Sequence, residues 1–173
     1  MNQLKIPFTL PDLKITSTSI AQQKLVIFAQ ARRRAVPCPS CKQTSNRRHS
    51  SYMRTVRDVR VGTDLVELHI LTRRFRCATT HCPRQTFAEQ HSQVVRRRGR
   101  RTNRLTSNLT QIGLVLGGQA GARLARKLQM PVSRSTILRL VRKVDLPPIE
   151  QPRIIGIDDW AFRKGRTYGT IIV

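Results

Sequence analysis

Four cysteines fall in two pairs, Cys38-Pro39-Ser40-Cys41 and Cys77-Ala78-Thr79-Thr80-His81-Cys82. Two residues between ligands let the first pair bend so that both thiolates face one ion. A second pair carried by a distant hairpin completes a tetrahedron. In a reducing cytoplasm, four paired cysteines point to Zn2+, with two disulfides or four free thiols as the alternatives. His81 is an alternative ligand to Cys82, but a thiolate already stands beside it. Four protein ligands close the ion to water. The zinc is then structural, holding together a small domain that lacks a large core.

The other reactive groups lie near the end of the chain. Ile154 to Phe162 reads as a buried strand carrying Asp158 and Asp159, and Tyr168 to Val173 reads as a second strand after a basic turn. A strand-borne Asp opening a sheet suits metal-dependent phosphoryl transfer, which needs several carboxylates to hold two metal ions about 4 Å apart. Neighbouring residues on a strand point to opposite faces, and Asp158 is the stronger candidate. No acidic residue follows Asp159. The sequence-based expectation is the front half of a DNA-processing enzyme followed by the opening fragment of its catalytic half.

Charge narrows the partner. Thirty-three Lys and Arg against nine Asp and Glu give a net charge of +24 in 173 residues. Such an excess calls for a polyanion, because each cation placed near a phosphate releases condensed counterions. An anionic membrane surface is the alternative. It is disfavoured because no basic helix with a bulky apolar face is evident. No apolar run approaches the roughly 20 residues of a membrane span, and the first residues lack the apolar core of a secretory signal. The expected location is cytoplasmic, on the nucleoid. Aromatic residues make up 5% of the chain, too few for a stacking platform that binds single strands. RNA binding is a weaker reading, since no GxxG loop or RNA-recognition aromatic pattern is present.

The pattern predicts an α+β chain. Leu13 to Thr18 and Lys24 to Ala29 form one hairpin. Thr55 to Val59 and Asp64 to Ile70 form another around Gly62, with Val66, Leu68 and Ile70 on one face and a solvated Glu67 and His69 on the other. Arg73-Arg74-Phe75-Arg76 ends the sheet, its arginines either along a phosphate backbone or on a solvated edge. These elements make a zinc-binding β domain over residues 1–90. Residues 91–101 form a basic linker in which Arg96, Arg97 and Arg98 track phosphates or a minor groove.

Residues 102–145 turn helical. Thr102 or Asn103 caps a helix carrying Leu105, Leu109, Ile112 and Leu116. Gly117-Gly118 breaks it, and a short second helix carries Ala122, Leu124, Ala125 and Leu128. Ser133 caps a third helix, Arg134 to about Val144, with Ile137, Leu138 and Val141 inward. This is helix-turn-helix patterning. Arg134, Ser135, Thr136 and Arg139 lie where such a helix meets base edges, and Arg142 lies nearer the phosphates. The bland alternative is a three-helix packing unit with exposed arginines. The prolines of residues 146–153 make a stiff linker to residues 154–173.

In this order, the knuckle, the hairpin, Arg73 to Cys77, Cys82 to Glu89, the helical segment and Gly156-Ile157-Asp158-Asp159-Trp160-Ala161 resemble a known family. The chain is similar to the bacterial insertion-sequence transposases of the ISL-three group, of the DDE class. The resemblance covers nearly the whole chain and is most specific over Arg73 to Glu89, Gly118 to Arg142 and Gly156 to Val173. It implies a zinc domain and a helix-turn-helix that bind double-stranded DNA at the element's terminal inverted repeats. It also implies a ribonuclease-H-like domain that cuts and joins strands with Mg2+. By resemblance, Cys38, Cys41, Cys77 and Cys82 are zinc ligands, and Asp158 is the first of three catalytic acids. Gln129 stands where a helix-ending glycine is usual, and the second and third acids have no counterpart. The chain is then the N-terminal part of a transposase. Alternatively it is a stand-alone DNA-binding repressor, or an inhibitor that meets an intact transposase or itself at element ends. The purified 173-residue protein is expected to show no Mg2+-dependent strand cleavage on a labelled duplex, and cleavage would overturn this reading.

Overall fold

The computed structural model describes residues 9–145 and 156–172, so the Pro-rich segment 146–153, Ile154 and Ile155 lie outside the described residues. The chain divides into two compact units, one reaching Lys143 and the other beginning at Val144.

The first unit is built on β6 (Leu65–Arg76), whose sequence alternates apolar and polar over most of its length. Alternation places every second side chain on one face. Val66, Leu68, Ile70 and Thr72 are accordingly buried. They meet Leu25, Ile27 and Ala29 of β2 (Lys24–Ala31), Val56 of β5 (Arg48–Arg57) and Leu13 of β1 (Leu13–Ala21). β1 and β2 form the expected hairpin around Gln22 and Gln23, both at positive φ as a two-residue loop requires. β2 then runs parallel to β6, from Lys24 opposite Leu65 to Gln30 opposite Leu71. β5 lies antiparallel on the other edge of β6, giving the order β1-β2-β6-β5.

On the opposite face, Glu67 accepts from Lys24 at 2.9 Å and lies 3.3 Å from His69, whose ring meets Phe28 edge-on at 5.1 Å. The pair expected to be solvated is half-buried, because the parallel β2 brings Lys24 and Phe28 beside it. The burial rhythm of β6 shifts after Thr72, and the next buried residue is Phe75. That odd step moves the far end of the strand into a second core. β7 (Thr86–Ala88) pairs there, with Phe75 opposite Phe87. β3 (Val36–Pro37) and β4 (Thr44–Ser45) make a small separate hairpin.

The segment expected to be a basic linker is packed instead. Val94 and Val95 belong to the sheet core. The Arg57 amide donates to the Arg100 carbonyl at 3.0 Å, and the Thr102 amide donates back to Arg57 at 2.9 Å. Buried Asp58 completes the junction: Oδ1 accepts from Thr102 Oγ1 and from Arg104 Nε, each at 2.6 Å, and from the Val59 amide at 2.8 Å. Removing one partner of a buried ion pair costs about 3–5 kcal/mol, and the lower end applies here because Arg104 is partly exposed.

α1 (Asn103–Lys127) starts at Thr102, whose side chain accepts from the Leu105 amide. The expected break is a kink: Gly117 alone leaves helical geometry, at φ 68° and ψ −167°. α2 (Arg134–Val141) starts at Ser133, which caps it through the Thr136 amide. Leu105, Leu109, Ala122, Ala125, Ile137 and Leu140 form the core of this part. Leu138, expected inward, is largely exposed and Leu140 is buried in its place. Leu138 instead covers Gly118, where an added Cβ would sit 2.8 Å from its Cγ.

In the second unit, β8 (Ile157–Arg163) and β9 (Thr167–Ile172) pair antiparallel. Both faces of this hairpin are exposed.

The end of α1 generates a prediction. The Met130 amide donates to the Ala125 carbonyl at 2.8 Å and the Gln129 amide to Arg126 at 2.9 Å. This is a Schellman closure, which needs a left-handed residue just past the cap. Gln129 fills that position at φ 56°. Gln129→Gly should raise stability by about 0.5–1 kcal/mol, measured by urea denaturation. A fall in stability would show that the Gln129 side chain makes an offsetting contact.

Candidate metal centre

Two hairpins deliver the thiols. β3 leads into Cys38, and the chain turns back at Lys42, at φ 63°. The Cys38 amide donates to the Gln43 carbonyl and the Lys42 amide to the Cys38 carbonyl, both at 2.9 Å. The second turn joins β6 to β7. The Cys77 amide donates to the Gln85 carbonyl at 2.8 Å and the Cys82 amide to Thr79 at 3.4 Å. Ser45 Oγ donates to the Arg76 carbonyl at 2.6 Å, and the Arg76 amide to Arg47 at 2.8 Å, so the two turns are tied together. Beneath them Phe75 and Phe87 stack at 6.1 Å, in one cluster with Cys38 and Cys82.

All four Sγ atoms lie within 4.8 Å of one another. Cys38 and Cys82 are 3.9 Å apart, and Cys41 and Cys77 are 3.5 Å apart. These separations exceed the about 2.05 Å of a disulfide. They match the about 3.8 Å edge of a tetrahedron with metal–sulfur bonds of about 2.3 Å. The quartet can hold a zinc ion with no further ligand. His81 is exposed and lies outside this group.

The thiols are electrostatically unequal. Cys41 is drawn down to about 6, chiefly by the Thr79 hydroxyl and next by the Gln43 amide. Cys38 is also lowered: burial works against ionisation, and the amides of Cys41 and Ser40 overcome it. Cys82 is pushed up to about 11. The Arg84 amide favours its thiolate, but burial and the neighbouring cysteines outweigh that contact. Without metal, the quartet keeps a proton at neutral pH that an incoming cation must displace.

The join between β6 and the end of β7 depends on a pair the sequence did not reveal. Glu89 is buried and accepts from the Arg73 amide at 2.8 Å, from Nε at 3.0 Å and from Nη2 at 2.7 Å. Arg73 is neither on a free edge nor open to phosphate. Its spacing from Glu89 carried no local signal.

The residues singled out for DNA fall into two groups. Arg96, Arg97 and Arg98 are exposed on a turn after the anchored valines, with Arg98 at φ 58°. Arg134, Ser135, Arg139 and Arg142 are exposed on α2 or just past its end, and Thr136 is half-buried. The Thr136 hydroxyl lies 3.0 Å from Ser133 Oγ, and Arg139 Nε bends back to the Ser135 carbonyl at 3.2 Å. In the second unit, Asp158 stands exposed opposite Ile171, while Asp159 accepts from Thr170 Oγ1 at 3.0 Å.

Residues 34–84 match the family described as the zinc-finger of transposase IS204/IS1001/IS1096/IS1165. The match spans both cysteine turns and the β5–β6 pair between them, and it does not extend to β1, β2, β7, the helices or the terminal hairpin. No curated protein and no solved structure matches the chain. The zinc ribbon suggests a transposase-related role.

Zinc affinity should rise with pH, because Cys82, at about 11, gives up its proton on binding. Competition with a chromogenic chelator should show at least about a tenfold gain per pH unit between about pH 6 and 8. A pH-independent affinity would mean that the four thiols do not all ligate as thiolates.

Proposed function

We propose that the chain is the end-recognition part of an insertion-sequence transposase, binding the element's terminal inverted repeats as double-stranded DNA. The observation that carries the reading is the zinc ribbon at residues 34–84, of a kind described from transposases. The net charge of +24 supports a phosphate-rich partner. In this reading zinc fills the cysteine quartet and stiffens the ribbon.

The second half of α1, the turn and α2 act as a helix-turn-helix. Ser133 frees the first turn of α2 from its own capping needs, leaving Arg134 and Ser135 open toward base edges. Arg139, which bends back to the Ser135 carbonyl in the free chain, exchanges that bond for one to a base or phosphate on binding. Arg142 and the turn of Arg96, Arg97 and Arg98 neutralise the backbone and contribute little to sequence choice.

Asp158 serves as a Mg2+ ligand only in a complete ribonuclease-H-like domain. Strand transfer needs further carboxylates, whereas the second unit offers Asp158 and Asp159 on one hairpin. Among the described residues no helix is long and apolar enough to cross a membrane.

The test is a gel shift of the zinc-loaded protein against fragments tiling its own locus, with excess random DNA. Fragments bearing inverted repeats should survive competition. Arg134→Ala with Arg139→Ala should weaken that specific complex by about 30-fold or more, at about 1–3 kcal/mol for each of two lost base contacts. Equal competition of every fragment would reduce the chain to a non-specific binder and end this reading.

A further inference from the structure

A cleft of about 660 Å³ opens between the sheet, the cysteine ribbon and the basic turn. Five arginines line it: Arg33, Arg54, Arg84, Arg97 and Arg98. Two carboxylates face them, and both are occupied. Asp12 pairs with Arg33 at 3.6 Å, and Glu89 is held by Arg73 at 2.7 Å. Among the described residues, none of Arg54, Arg84, Arg97 and Arg98 takes part in an ion pair. The cleft therefore carries an uncompensated positive charge on a concave surface.

Arg54 is the most informative of the four. It is half-buried on β5, and its Nη2 donates to the carbonyls of Arg96 and Gly99, each at 2.7 Å. These bonds fix the guanidinium at the cleft wall and shape the basic turn in the same step. Burial pulls its pKa below the usual arginine value, while the nearby Tyr52 phenol resists that shift. Holding a cation partly out of water without a carboxylate is costly, and an anion in the cleft would offset the cost. Arg84 is steadied on the ribbon side by donating from Nε to Ser40 Oγ at 3.0 Å. Tyr52 also lines the cleft and is partly exposed, a ring available to a sugar or a base.

We propose that this cleft grips the phosphodiester backbone of one DNA strand, at a contact distinct from α2. The proposal rests on the DNA-binding reading above and extends it to Arg54, Arg84 and Tyr52. The volume falls in the range of small-ligand sites, which suits one strand's sugar–phosphate and excludes a whole duplex. The strand is either unpaired or one edge of a bound duplex. Pro37 and Pro39, on either side of the first cysteine of the knuckle, form part of the wall. The cleft is therefore shaped by the same turn that holds metal.

Fluorescence anisotropy of the zinc-loaded full chain tests this, with a short oligothymidylate and a random duplex as probes over a range of salt. Arg84→Gln with Arg97→Gln removes two cleft charges. Lys14→Gln with Lys164→Gln removes two exposed charges outside it and serves as the control. The cleft variant should bind at least one probe about tenfold more weakly than the control. Its salt slope should fall by about 1.4 on the single strand or about 1.8 on the duplex. Tyr52→Ala should weaken binding of the oligothymidylate if the strand is unpaired, and should leave binding to both probes intact if the cleft holds a duplex edge. If the cleft variant matches the control on both probes while the wild type binds, the cleft proposal fails and the DNA reading survives. If the wild type binds neither probe, both fail.

Discussion

Pairing along both edges of β6 is the constraint on which the first unit depends. β5 occupies one edge, while β2 and then β7 share the other. A one-residue slip on any of these ladders would turn apolar side chains out of the core. It would also displace Cys77, which directly follows the strand. The half-step between Thr72 and Phe75 lets one strand serve two cores: the main sheet core on its first part, and the small aromatic cluster under the cysteines on its last. Register in the sheet and geometry at the thiols are thus one problem with one solution.

Acidic side chains are scarce, and most of those in the first unit hold the fold together. Asp58 joins the sheet to α1, Glu67 joins β2 to β6, Glu89 holds β7, and Asp12 meets Arg33. Two of these carboxylates, Asp58 and Glu89, are almost fully buried, where an unpaired charge would be intolerable. Each captures an arginine and ties together segments far apart in sequence. Among the described residues, the remaining arginines form no ion pair. Their mutual repulsion opposes compaction, and a polyanion relieves it. The same scarcity of acid that exposes these cations makes each buried carboxylate hard to replace.

The ribbon and the helices are joined by packing. Val94 and Val95 sink into the sheet just before the chain enters α1, and Asp58 and Arg104 lock the entry. A basic turn anchored at both ends presents its arginines at lower entropic cost than a free tether would. The cysteine turn, through Pro37 and Pro39, and the basic turn, through Arg97 and Arg98, line one cleft together with Arg54.

Much of this was legible in the residues alone. The two cysteine pairs, the alternation of β6, the hairpin around Gln22 and Gln23, and the caps at Thr102 and Ser133 are local signals, each complete within a few residues. The anomaly at Gln129 was legible as well, though its left-handed backbone had to be observed. The parallel pairing of β2 with β6, the burial of Val94 and Val95 inside a charge run, and the exchange of Leu138 for Leu140 were decided by the tertiary structure. So were the pairings of Arg73 with Glu89 and Arg104 with Asp58, which join residues 16 and 46 positions apart. Periodicity and spacing report what a segment can become by itself. Which distant charge a buried carboxylate finds, and which arginines are left facing a cleft, depends on loop closure and on competition among many equivalent arginines, and only the packed chain resolves that competition.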